Sequence, residues 1–316
     1  MEDIQIPEPI LVLKSLAAEG RHILSTWRAN LYLRRNIDPF YDENKVRRII
    51  RKLERDGLIR PIDQNRGGLY QVTSPYARKT INVYEAIGEA YWMGVFCYAT
   101  ALELHRLTDQ RSKKLHLINI SPGDRSVIRS TKPDRTEEPA ADTNVPLGSR
   151  PSEWRLHELP PTYHFSKFHG FEIKTHSIKR EWLFGITETS FEGAPLRCTD
   201  LERTLIDGLR YPKYCGGLGE VFRGWVRALE RINVDRLIAY TERFDQSILH
   251  QRVGFVMETL DLYHPSHTDW KREKTQRGGS RLLDPEREYS PTYSEEWSLS
   301  INYPISILEN RDASYS

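Results

Sequence analysis

The residues from Asp42 to Gly57 constrain this chain more than any others. Val46, Ile49, Ile50 and Leu53 fall at i, i+3, i+4 and i+7, the spacing of a helix that buries one face. Asp42 is placed to cap that helix and Gly57 to end it. At about 100° per residue, Asn44, Arg48, Arg51 and Arg55 then point away from the core, with Lys45, Arg47 and Lys52 on the flanks. Such a helix must pack on something and must leave a ridge of guanidinium groups in water.

The neighbouring residues supply the packing partners. A short helix is expected from Ile10 to about Gly20 and a second from His22 to Arg34, broken at Asn36 to Tyr41, where Pro39 pushes its neighbour toward extended backbone. Leu58 to Ile62 and Leu69 to Thr73 are expected strands around Asp63 to Gly68, a hairpin with turn residues at its tip. Three helices and a hairpin make a winged helix-turn-helix over residues 1–80.

Charge follows the same division. The whole chain of 316 residues carries 46 basic and 44 acidic side chains, net +2. Residues 1–80 hold 15 basic and 10 acidic groups, net +5, whereas residues 81–316 hold 31 and 34, net −3. A basic first module on a mildly acidic body suits a polyanionic partner. Arginine forks onto guanine edges, asparagine onto adenine, and flanking cations neutralise phosphates. The expected duplex-DNA contacts are therefore Asn44, Lys45, Arg47, Arg48, Arg51, Lys52 and Arg55, with Arg66 at the hairpin tip and Arg28, Arg34 and Arg35 gripping the backbone beside them. A winged helix that docks only protein is the competing reading.

Residues 81–316 are expected to form a mixed α/β domain, so the fold class is α+β. Tyr84 to Leu107 is expected to be helical and Leu115 to Ile120 a buried strand. Residues 122–153 contain five prolines and many Ser, Thr, Asp and Arg, an exposed insertion by composition. Strands are expected at Trp154 to Leu159, His169 to Ser177, Leu183 to Phe191 and Leu196 to Thr199. Helices follow at about 200–209, 218–231, 234–243 and 247–261, then extended segments near Leu282 and from Trp297 to Asn302. Lys271, Arg272, Lys274, Arg277 and Arg281 make a second basic patch in a loop.

Other chemistry is thinly represented. Cys97, Cys198 and Cys215 are far apart and odd in number, which excludes a zinc ribbon and points to buried thiols in a reducing cytoplasm. Glu172 and Lys174 match half of a Mg²⁺-nuclease motif but lack a preceding Asp, and His264 with His267 is a weak metal pair near Asp261 and Asp269. No Gly-rich phosphate loop or nucleophile elbow occurs, so neither an enzyme nor a cofactor is expected. The longest uncharged run near the middle, Ala90 to Leu102, spans 13 residues, short of the roughly 20 a membrane helix needs, and no secretory leader opens the first thirty residues. A cytoplasmic protein is expected.

The stretch from Thr199 to Val221 (TDLERTLIDGLRYPKYCGGLGEV) resembles a segment of the AbiEi antitoxins of type IV toxin–antitoxin systems, which act in abortive infection. The block Ala101 to Gln110 and the hairpin closing at Gly67 to Tyr70 are similar to parts of the same family. In the residues themselves, Thr199 and Glu202 fit a capping box, Leu201, Leu205, Ile206 and Leu209 a buried face, and Asp207 a structural carboxylate. Gly216 and Gly217 allow a backbone path closed to residues with a Cβ. The resemblance implies a transcriptional repressor that binds inverted repeats in its own promoter. It also implies an antitoxin that counters a nucleotidyltransferase toxin without a stable complex. A stand-alone regulator of a phage-defence or mobile-element locus stays open beside it.

Overall fold

The computed structural model describes residues 6–38, 41–63, 66–76, 80–91, 94–120, 163–273 and 281–309. They have a mixed α+β fold. The expected insertion at 122–153 and the strand at Trp154 to Leu159 lie outside the described residues.

These residues group into two compact units, one drawn from 1–95, 118–170 and 188–197, the other from 96–117, 171–187 and 198–316. In the first, the order is α1 (Glu8–Ala18), β1 (Ile23–Ser25), α2 (Thr26–Asn36), α3 (Glu43–Arg55), β2 (Ile59–Asp63) and β3 (Arg66–Val72). The three strands form an antiparallel sheet in the order β1-β3-β2, with Ile23 opposite Gln71 and Ile59 opposite Val72. One core joins Val12 and Leu16 of α1, Leu33 of α2, Val46, Ile50 and Leu53 of α3, and Ile59 and Val72 of the sheet. Burying these side chains supplies the main drive for the module to form.

Two expectations are corrected here. The segment from His22 begins as strand β1, not helix, because the carboxylate of Glu85 accepts the backbone N–H groups of His22 at 2.5 Å and Ile23 at 2.9 Å. Glu85 lies on α4 (Val83–Ala90), within the first unit. The expected helix from Tyr84 to Leu107 is likewise broken into α4, β4 (Val95–Phe96) and α5 (Tyr98–Leu104). Gly94 between them adopts φ +55°, and a Cβ there would fall 2.3 Å from the Gly88 carbonyl oxygen.

The remaining strands are β5 (Lys114–Ile120), β6 (Lys167–Phe168), β7 (Phe171–Ile178), β8 (Ile186–Phe191) and β9 (Ala194–Thr199). With β4 they make a sheet in the order β6-β7-β5-β4-β9-β8. Glu192 and Gly193, at φ +50° and +74°, form the tight turn between β8 and β9. The second unit also contains α6 (Leu201–Arg210), α7 (Leu218–Ala228), α8 (Val234–Phe244), α9 (Ser247–Thr259), α10 (Ser266–Glu273) and α11 (Ser306–Glu309). The short strands β10 (Arg281–Leu282), β11 (Tyr293–Ser294) and β12 (Leu299–Ser300) form a small sheet in the order β10-β12-β11.

The α6 segment folds largely as its residues suggest. Leu205, Ile206 and Leu209 are fully buried, while Leu201 is half-buried. Arg203 Nε donates to Asp207 at 2.9 Å, and its Nη1 donates to the carbonyls of Trp182 and Phe184. The cap differs from expectation. Asp200, not Thr199, accepts the Arg203 N–H, because Thr199 is drawn into a buried bond with Thr204 and Glu202 accepts the Asn233 N–H. Gly216 and Gly217 adopt φ +85° and +98°, as a path reserved for glycine requires.

Candidate nucleic-acid interface

Helix α3 starts where Asp42 accepts the Asn44 N–H at 2.7 Å. Val46, Ile49, Ile50 and Leu53 are buried, and Asn44, Lys45, Arg47, Arg48, Arg51, Lys52 and Arg55 are all exposed. The expected ridge is therefore on the surface of its unit. Arg47, Arg48, Arg51 and Lys52 make no ion pair among the described residues. Arg55 lies 3.7 Å from its neighbour Asp56, and the Lys45 ammonium sits 5.8 Å from the Tyr41 ring centre. Exposed cations without partners keep their full field toward solvent, which is what attraction of a polyanion needs.

The supporting arginines divide. Arg66 begins β3, and its side chain lies outside the described residues. Arg34 is half-buried, and Arg35 is exposed within 3.7 Å of Glu19. Arg28 is corrected: it does not face a ligand. Its Nε donates to both Glu89 oxygens at 2.8 and 2.9 Å, Nη2 donates to Glu89 at 2.7 Å, and Nη1 donates to Glu19 at 3.1 Å. Burial alone would depress Arg28, but the charge of Glu89 more than reverses that and holds the guanidinium protonated. A charge so engaged stabilises its own unit, and its field is already neutralised by Glu89.

Of the expected second basic patch, Lys271, Arg272 and Arg281 are described. Lys271 bridges Glu258 at 2.7 Å and Glu296 at 2.8 Å, and lies 4.9 Å from the Trp297 ring centre. Arg272 is 3.3 Å from Asp269, and Arg281 is half-buried in β10. Lys274 and Arg277 lie outside the described residues. Lys271 is thus corrected to a structural cation, because two carboxylates already neutralise it.

The weaker chemical motifs are also placed. Glu172 pairs with Lys174 at 2.5 Å and Lys114 at 3.9 Å on neighbouring strands β7 and β5. His264 faces Asp235 at 3.6 Å, while His267 is buried with Nδ1 3.6 Å from Glu258. Among the described residues, no group of three or more His, Cys, Asp or Glu is arranged to hold a metal. Cys97, Cys198 and Cys215 are free and buried, and burial pushes the Cys198 thiol up to about 12, so it is an inert thiol at neutral pH.

One cluster in the second unit escaped the sequence. His116 Nδ1 and His176 Nε2 lie 2.8 Å apart on β5 and β7. Their rings are within 13° of parallel, and their centres are 5.1 Å apart. That separation exceeds the N···N distance by about two ring radii, so the imidazoles lie edge to edge in a straight N–H···N bond, not face to face. Tyr98, at φ +52°, and Tyr214 pack against both rings. Burial, first, and mutual repulsion together push His116 down to about 4, and burial with the nearby Lys174 charge does the same to His176. Each histidine looks ordinary alone; only strand pairing brings them together.

No protein-family model and no curated protein matches the chain. Among solved structures, the crystal structure of the RV2827C protein from Mycobacterium tuberculosis aligns with 98% of this chain and 97% of its own, at 12% identity and a TM-score of 0.47. No helix among the described residues is long and apolar enough to cross a membrane.

Proposed function

We propose that the first module is a winged helix-turn-helix and that the protein is a sequence-specific DNA-binding repressor acting as a type IV antitoxin. The observation that carries this reading is the exposed ridge on α3, with four cations free of ion pairs above a fully buried apolar stripe. Inserted in a major groove, Arg48, Arg51 and Arg55 would donate to guanine edges and Asn44 would bond adenine. The β2–β3 hairpin would lie along the adjacent backbone as the wing. Occupying its own promoter, the protein would exclude transcription of its operon.

The antitoxin part rests on the resemblance of Thr199 to Val221 to the AbiEi family. On that reading the second unit counters a nucleotidyltransferase toxin encoded beside it. No catalysis is assigned to this chain.

The test is binding to its own promoter DNA. Arg48→Ala combined with Arg51→Ala should weaken binding by about 30-fold to 10⁴-fold, two base contacts at roughly 1–3 kcal/mol each, with the circular dichroism spectrum unchanged. Undiminished affinity would remove the DNA reading. Co-expression with the adjacent reading frame tests the other half: growth rescued by the second unit supports an antitoxin, and a harmless neighbour argues for a stand-alone regulator.

A further inference from the structure

The two flanks of α3 are not equivalent. Measured around the helix from Asn44 at about 100° per residue, Arg48, Lys52 and Lys45 fall near 40°, 80° and 100°. Both acidic residues of the helix, Glu43 and Glu54, fall near 260° and 280°, on the flank that carries Arg47. One flank is therefore purely cationic and the other is mixed.

The cationic flank also has a wall opposite it. Lys45, Arg48, Ile49 and Lys52 line an open cleft of about 430 Å³, whose far side is Glu8 and Pro9 at the start of α1. Lys45, Arg48 and Lys52 are exposed and none is ion-paired among the described residues. Tyr41, buried next to Lys45, has Glu8 and Arg48 among its charged neighbours. Three cations converge on a space large enough for a phosphate group, and the single carboxylate there opposes them.

Resting on the DNA reading above, we propose that this cleft seats a backbone phosphate of the duplex. Lys45 and Lys52 then hold that phosphate whatever the sequence, and base discrimination belongs to the ridge of Arg48, Arg51 and Arg55, of which Arg48 borders the cleft. Phosphate contacts set register and salt dependence and carry no direct sequence information. Glu8 acts as a built-in competitor that holds the non-specific affinity down.

Fluorescence anisotropy across a sodium chloride series separates these roles, using labelled duplexes of promoter and of random sequence with the full-length protein. Lys45→Ala plus Lys52→Ala should lower the slope of log affinity against log salt by about 0.9, the value for the one phosphate both lysines hold. The fold-loss should be equal on both duplexes. Glu8→Gln should tighten both, and Arg47→Ala on the mixed flank should change the slope less than either lysine. Arg51→Ala plus Arg55→Ala should instead erase the preference for promoter over random DNA. An unchanged slope in the double lysine variant, or a loss confined to the promoter, would overturn the phosphate seat while leaving DNA binding intact. Displacement of DNA by millimolar inorganic phosphate at constant ionic strength would mark a free-anion site and overturn the assignment to the backbone. Wild-type protein binding neither duplex would remove the DNA reading, and this inference with it.

Discussion

Replacing Glu89 by alanine should destabilise the first unit more than any surface substitution on α3. The Glu89 side chain is 3% exposed and faces Arg28, whose side chain is 11% exposed, with Arg21 3.9 Å away. Arg197, half-buried, feels repulsion from Arg28 and Arg21 and attraction to Glu89; desolvation, the largest cause, pushes it down to about 10. One buried carboxylate thus faces a group of half-buried guanidiniums. Removing one partner of a buried pair costs about 3–5 kcal/mol, because the remaining charge has lost its water and its counter-ion. Against a total stability of about 5–15 kcal/mol, that is a large fraction. Arg28→Met with Glu89→Leu removes both charges and should recover most of the loss.

The measurement is urea unfolding followed by circular dichroism for Glu89→Ala, Arg28→Met and the Met/Leu pair. Glu89 is held below the ordinary carboxylate range, since Arg28 overcomes the opposing effect of burial. Its contribution is therefore complete above the unfolded carboxylate pKa, near 4.3, and fades as pH falls below it. A Glu89→Ala cost under about 1 kcal/mol, or a Met/Leu pair as unstable as Glu89→Ala alone, would refute the argument. DNA binding by Arg28→Met supplies an independent check. Its salt slope should equal that of wild type, and a fall of about 0.9 would show that Arg28 touches a phosphate after all.

Two further predictions concern the second unit. His116 and His176 are both pushed down to about 4, from an ordinary value of 6.5, so the folded state favours their neutral forms. Their contribution is present above pH 6.5 and is lost as pH falls from there towards 4, by about 3 kcal/mol for each histidine at 1.36 kcal/mol per unit. Urea midpoints at pH 7 and pH 4.5 should show this drop, and His116→Gln with His176→Gln should flatten it; an equal drop in the double variant would exclude the pair as its source. Separately, a Cβ added to Gly254 would lie 2.1 Å from the buried Trp297 ring, whose Nε1 donates to Glu258 at 2.8 Å. Gly254→Ala should cost at least about 1–3 kcal/mol in thermal or urea unfolding, and a wild-type melting point would contradict this packing.

What could be read in the sequence, and what could not, divides by distance along the chain. The α3 stripe, its Asp42 cap and its exposed ridge depend on residues within sixteen positions of one another, and all are seen in the structure. The same holds for Gly216 and Gly217, whose backbone demands are local. Strand β1 was missed because its first N–H groups are accepted by Glu85, 62 and 63 residues away. His116 and His176 are 60 residues apart and meet only through the pairing of β5 with β7.

The charged residues follow that rule most sharply. Arg28 and Lys271 share composition and local spacing with the cations of α3, yet each is engaged by a carboxylate far along the chain. The partner of Arg28 is Glu89, 61 residues on, and Lys271 reaches Glu258 and Glu296. Arg48, Arg51 and Lys52 stay unpaired among the described residues: the helix places both of its own carboxylates on one flank, Asp56 sits by Arg55, and Glu8 lies across the cleft from the opposite flank. A cation's sequence context therefore sets where it points, and the tertiary fold decides whether it is already neutralised. Only cations that pass both conditions retain the field to recruit a polyanion, and Arg47, Arg48, Arg51 and Lys52 pass both side by side on one helix.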